Sequence, residues 1–198
     1  MKRTGGAIAV AVVLFAAGVA QALDFSADMV TTTRGQRMSS KVFVANDKVR
    51  IEAAGAMTIT RIDMKVAWLI MPKQGMYMEQ PFDPEKVAGT AEKMPGELER
   101  VSLGADMVDG KPAMKYRITY TTRDDRATVI QWVDVASDIP IKTEAEDGSW
   151  SMEYKNLKVG AQDPSLFEIP AGYQKFTMPD MNEMMSEARK RAGAREQQ

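Results

Sequence analysis

The sequence predicts a mainly β protein, a sandwich or barrel of about ten antiparallel strands with a short covering helix and a C-terminal helix. Three observations predict it. From Phe25 to Val159, short period-two segments rich in β-branched and aromatic residues follow one another, which is the pattern of strands with one buried face. Between them stand Asn46-Asp47, Asp109-Gly110, Asp124-Asp125 and Asp147-Gly148, pairs that tolerate positive φ and close tight turns. There is no cysteine, so the fold rests on burial alone rather than on disulfides.

The first element is an export signal. Lys2 and Arg3 precede an uncharged apolar run from Ala7 to Val19, and Ala20-Gln21-Ala22 completes a small-residue cleavage site before Leu23. The run is shorter than the roughly 20 residues that span a bilayer. Residues 1–22 are therefore expected to be removed, leaving a periplasmic protein with no transmembrane segment. Loss of Lys2 and Arg3 takes the net charge from −1 to −3, which gives no electrostatic attraction toward nucleic acid. Residues 23–176 read as one domain and residues 177–198 as a C-terminal amphipathic helix and tail.

Within the domain the clearest strand is 113–122. Met114, Tyr116, Ile118 and Tyr120 alternate there with Lys115, Arg117, Thr119 and Thr121, so one face is dry and the other wet. Its partner is expected at 126–135. Val66-Ala67-Trp68-Leu69-Ile70-Met71 is apolar at every position, which predicts a strand covered on both faces. A cover is available in Asp83-Pro84 to Met94, a short helix capped by Asp83 and stopped by Pro95-Gly96, with Val87, Ala91 and Met94 on one side. After Asp163-Pro164 an extended stretch from Ser165 to Phe176 is expected. A second helix then opens at Thr177, with an acidic first turn and Arg189, Lys190 and Arg191 near its end.

Composition excludes much chemistry. Without histidine or cysteine the commonest general base, the thiol nucleophiles and the usual zinc ligands are gone. The adjacent acids Asp124-Asp125 and Glu146-Asp147 fall in turns, where solvation explains them better than paired-carboxylate catalysis. Asp106 to Gly110 lacks the alternating oxygen ligands of a calcium loop. The expectation is a protein that is not an enzyme and has no cofactor.

Methionine is in excess, at sixteen residues. Met71, Met76 and Met78 flank the turn from Pro72 to Gly75. Flexible thioethers suit a surface that repacks around variable apolar ligands; equally, they fill cores. Met178, Met181 and Met184 share a helical side and would suit Cu(I), although the same spacing serves any helix docking on a sheet.

Several segments together resemble the LolA-like group of periplasmic lipoprotein carriers. They are Phe25 to Met29, Lys48 to Glu52, Trp132-Val133-Asp134 with Ile139 to Lys142, and the ending Asn156 to Gly160 with Asp163 to Tyr173. The ending resembles an uncharacterised, outer-membrane lipoprotein-sorting-protein-like branch of that group. The resemblance covers most of residues 25–176 and implies an incomplete, half-open antiparallel β-barrel, its concave apolar face covered by helix and able to shelter lipid.

The resulting expectation is a carrier for lipid or lipoprotein acyl chains. Its cavity would be lined by Trp68, Ile70, Tyr116, Ile118, Tyr120, Trp132, Met152 and Tyr154, with Val87, Ala91 and Met94 as the lid. Two alternatives stand beside it. One is an interaction module that offers its C-terminal helix to an envelope protein partner or a membrane, and the other is Cu(I) handling through Met178, Met181 and Met184.

Overall fold

A computed structural model describes residues 24–83, 94, 96–121 and 125–177. These form one open sheet of twelve strands, antiparallel except where β12 joins β6, a half-open β-barrel. The strands are β1 (Phe25–Thr33), β2 (Gln36–Ala45), β3 (Lys48–Ala53), β4 (Ala56–Arg61), β5 (Val66–Met71), β6 (Met76–Pro81), β7 (Glu97–Val108), β8 (Lys111–Thr121), β9 (Arg126–Asp134), β10 (Pro140–Ala145), β11 (Trp150–Val159) and β12 (Gln174–Lys175). The order across the sheet is β12-β6-β5-β4-β3-β2-β1-β11-β10-β9-β8-β7. Two hairpin runs thus meet where β1 pairs with β11, and β7 forms one long edge. Residues 1–22, Val87, Ala91 and the C-terminal methionines lie outside the described residues.

Turn chemistry closes the hairpins. Asn46 (φ 48°), Asp109 (φ 51°) with Gly110 (φ 76°), and Gly148 (φ 72°) sit at positive φ where the sequence placed turns, a conformation that Asn, Asp and Gly adopt at least cost. Met94 is the described end of the segment expected to be helical; its N–H donates to Glu97 Oε2 at 2.7 Å. Gly96 follows at φ 71°, and a Cβ there would run into Thr121 Oγ1, so this join to the β7 edge opposes a side chain.

The stretch after Asp163 is not simply extended. Asp163 accepts the Ser165 N–H at 2.9 Å and caps a 3-10 turn at Pro164–Phe167. The chain then runs to β12, which adds parallel to β6, with the Gln174 N–H donating to Gly75 O at 2.9 Å and the Phe176 N–H to Tyr77 O at 2.7 Å. Leu166, Phe167, Ile169 and Tyr173 pack on Ile59, Trp68 and Ile70. Phe167 is only 1% exposed, and full burial of such a ring is worth about 1.5–3 kcal/mol. This closing segment is the described cover of β5 on one side.

Candidate functional site

Pairing register assigns every strand residue to one of two sheet faces, because directly paired residues point the same way. Trp68 pairs with Ile59, Ile59 with Arg50, and Arg50 with Phe43. Ile70 continues through Met57, Glu52 and Lys41 to Asp28, and so to Lys155. Tyr154, the neighbour of Lys155, therefore points to the opposite face. Its face also holds Met152 and Thr143, then Gln131, and across β8 Tyr116, Ile118 and Tyr120.

The eight expected lining residues are thus divided. Tyr116, Ile118, Tyr120, Met152 and Tyr154 share the Tyr154 face. Trp68 and Ile70 lie on the Trp68 face, beneath the closing segment. Trp132 also lies there, since it pairs with Lys115 and Lys142. Alternation along each strand was visible in the sequence; the phase between strands depends on pairing and on bulges, one of which falls between Ser26 and Asp28 opposite β11. Of the expected lid, only Met94 is described.

The Trp68 face is chemically satisfied. Trp68 donates its indole N–H to Glu79 Oε2 at 3.0 Å, and the Arg61 guanidinium lies 6.0 Å from its ring centroid. Arg61 bonds Asp63 and Glu168 at 2.8 Å each, while Arg50 donates to Leu166 O at 2.9 Å. Hydrogen bonding from Arg61 holds the Asp63 carboxyl below its ordinary pKa, and Lys175 with Trp68 does the same for Glu79. Farther along, Trp132 donates to Asp106 Oδ2 at 2.8 Å, with the Lys142 and Lys115 ammonium groups 4.2 and 4.8 Å from its ring centroid. An open groove of about 580 Å³ on this face is walled by Asp28, Lys41, Arg50, Glu52 and Met57, a mixed-charge lining.

The Tyr154 face is different. It runs from Met76 and Met78 on β6, through Leu69 and Met71, Thr58 and Thr60 on β4, Val49 and Ile51, Val42 and Val44, and Phe25, Ala27 and Met29, to Met152 and Tyr154, apolar throughout except at the two threonines. The middle of the row is buried at Val49, Val42, Phe25, Ala27 and Met152, while Leu69, Met71, Met76, Met78, Met29 and Tyr154 are half-buried, so the apolar surface is partly covered and partly wet. Phe25 and Tyr154 rings meet at 5.6 Å between centroids. Desolvation pushes the Tyr154 hydroxyl up to about 12 and raises Tyr120 above its ordinary value. At the β8–β11 end a cavity of about 320 Å³ opens between Tyr120 and Trp150, over Ala127, Val129 and Ala145.

Sequence reasoning missed two polar features of this face. Glu97 and Arg100 form an ion pair at 2.9 Å with side chains only 7% and 21% exposed, and the Arg100 guanidinium stacks 5.2 Å from the centroid of Tyr116. Their i, i+3 separation was readable; their partner Tyr116 was not. Thr143, fully buried beside Gln131 and Met152, has a hydroxyl with no hydrogen-bond partner among the described residues.

No family model and no curated protein matches the chain. Solved structures do. MucB aligns with TM-score 0.50 at 16% identity, covering 76% of this chain and 58% of MucB. LprF from Mycobacterium bovis aligns at 0.43 and 12% identity, over 76% of this chain and 90% of that one. A putative outer membrane lipoprotein-sorting protein domain from Vibrio parahaemolyticus aligns at 0.35 and 10% identity, over 72% and 88%. The MucB alignment shows a shared fold, of which this chain spans a little over half the length. Fold and site define an open, half-closed β-barrel with one apolar face left half-covered. Among the described residues no helix is long and apolar enough to cross a membrane.

Proposed function

We propose that this protein is a periplasmic, non-enzymatic carrier that shelters an acyl chain of a lipid or lipoprotein on the Tyr154 face, in the manner the LolA-like resemblance implies. The observation that supports this reading is the largely apolar row from Met78 and Leu69 to Tyr154, half-buried at Leu69, Met71, Met76, Met78 and Tyr154 and mostly buried between them, which leads to the Tyr120–Trp150 cavity. An apolar surface of that extent is costly to leave wet. Each methylene moved onto it from water contributes about 0.8 kcal/mol, and methionine side chains repack around chains of different length. Glu97, whose carboxylate holds both Met94 and Arg100, fixes the end of the segment expected to serve as lid. Native mass spectrometry of protein purified from the cell envelope should show a bound apolar molecule of lipid mass. Repeated recovery of ligand-free protein would contradict the carrier reading.

A second reading, capture of an extended peptide by strand addition, is favoured by the β7 edge, where Leu98, Leu103 and Met107 are 53%, 46% and 60% exposed. Leu103→Lys would abolish pull-down of an envelope partner on this reading and leave it unchanged on the first.

A further inference from the structure

We propose that the Tyr120–Trp150 cavity seats the headgroup of a zwitterionic phospholipid, one bearing a phosphate and an ammonium, whose acyl chain continues along the Tyr154 face. The inference rests on the carrier reading and narrows its ligand. The cavity has aromatic walls, Tyr120 and Trp150, and a rim that carries both signs of charge: Arg126, with Glu146 and Asp147. Aromatic faces with carboxylates attract an ammonium, and a guanidinium forks onto phosphate oxygens. Asp147 stays a carboxylate, since hydrogen bonding from the Ser149 hydroxyl, together with the Ser149 N–H at 2.9 Å, holds its pKa below the ordinary value. At about 320 Å³ the space is at the small end of ligand pockets, which run from about 300 to 1,000 Å³, enough for a headgroup and not for two acyl chains.

An independent observation points to the same ligand. Thr143 lies on β10 two residues inward from Ala145, one of the cavity's lining residues, and on the same face. Its hydroxyl is buried with no partner among the described residues, a state that costs about 1–3 kcal/mol. Thr143 stands three residues from Glu146, about 10 Å along an extended strand. Thr143 is fully buried and stands deeper than the cavity's lining, so the ester carbonyl of a headgroup held at the rim would meet this hydroxyl by displacing the side chains that cover it. A plain hydrocarbon or a fatty alcohol has no carbonyl to offer.

The test uses the full chain and monomeric single-chain amphiphiles with one dodecyl tail and different heads: phosphocholine, trimethylammonium, sulfate and maltoside. Calorimetric affinities should favour phosphocholine by at least about tenfold. Arg126→Ala and the double change Glu146→Gln with Asp147→Asn should each erase that preference, whereas Lys41→Ala on the opposite face should keep it. Lauroyl lysophosphatidylcholine, which carries the ester, should bind more tightly than dodecylphosphocholine, and Thr143→Val should remove the difference. Equal affinity for all four heads, or a preference untouched by the rim variants, overturns the headgroup seat while the carrier reading stands. An ester advantage that survives Thr143→Val overturns the Thr143 contact, and failure of every amphiphile to bind overturns the carrier reading as well.

Discussion

The two faces of β5 differ in who covers them. Trp68 and Ile70 on one side are sealed by the protein's own closing segment, held by apolar packing, by the β12–β6 bonds and by a set of ion pairs from Arg61 and Lys175. Leu69 and Met71 on the other side stay half-buried, together with the row that leads to Tyr154. The same six apolar residues thus serve a finished core on one face and an unfinished surface on the other. Among the described residues, a segment of the chain's own closes one side of β5 and none closes the other, an arrangement that separates stability from binding.

The largest expected effect attacks the finished face. Phe167→Ala should cost about 3–5 kcal/mol, the usual range for emptying a buried aromatic site, read as a fall in the denaturation midpoint. Leu69→Ala on the open face should cost less, about 1–2 kcal/mol, since that side chain is only partly buried, while weakening acyl-chain binding that Phe167→Ala leaves to the folded fraction. A ranking in the opposite sense would remove the distinction between the faces. Gly96→Ala comes next, at about 1–3 kcal/mol, because a left-handed φ and the contact with Thr121 both oppose a side chain.

Acid should open the finished face first. The Asp63, Glu79 and Asp163 carboxyls are held below their ordinary values of 3.8, 4.5 and 3.8. A carboxyl whose folded pKa is depressed adds stability that is present above its ordinary value and lost as pH falls through the lower folded value. Amide exchange at Gln174 and Phe176, corrected for intrinsic rate, should therefore accelerate below about pH 4. Protection unchanged down to pH 2 would show that these carboxylates do not hold the closing segment. The smallest effect is Thr143→Val, which removes the unpartnered hydroxyl at nearly constant volume and should be neutral or stabilising by about 1 kcal/mol.

Much of this was legible in the chain. The period-two runs and the Asn-Asp and Asp-Gly turns read correctly, because local alternation and turn chemistry are written in neighbouring residues; β5, expected to be covered on both faces, is sealed on the Trp68 side and only half-covered on the Leu69 side. The phase between strands was not. Trp132 looks like a lining residue until Lys115 and Lys142 are found across from it, and only pairing supplies that. Nor does anything near Trp68 announce Phe167, about a hundred positions on, as its cover; the expected cover was the segment ending at Met94. Five of the eight lining residues fell on one face, since β8 and β11 are the strands with the strongest alternation.

The measurement that bears most directly on the open face is a methionine-methyl NMR titration with a monomeric acyl-chain ligand. Met29, Met71, Met76, Met78 and Met152 lie on the Tyr154 face, while Met57 lies on the Trp68 face beside the closing segment. The account predicts saturable shifts at the first five methyls and none at Met57. Shifts confined to Met57, or no saturable shift at any of the six, would contradict it.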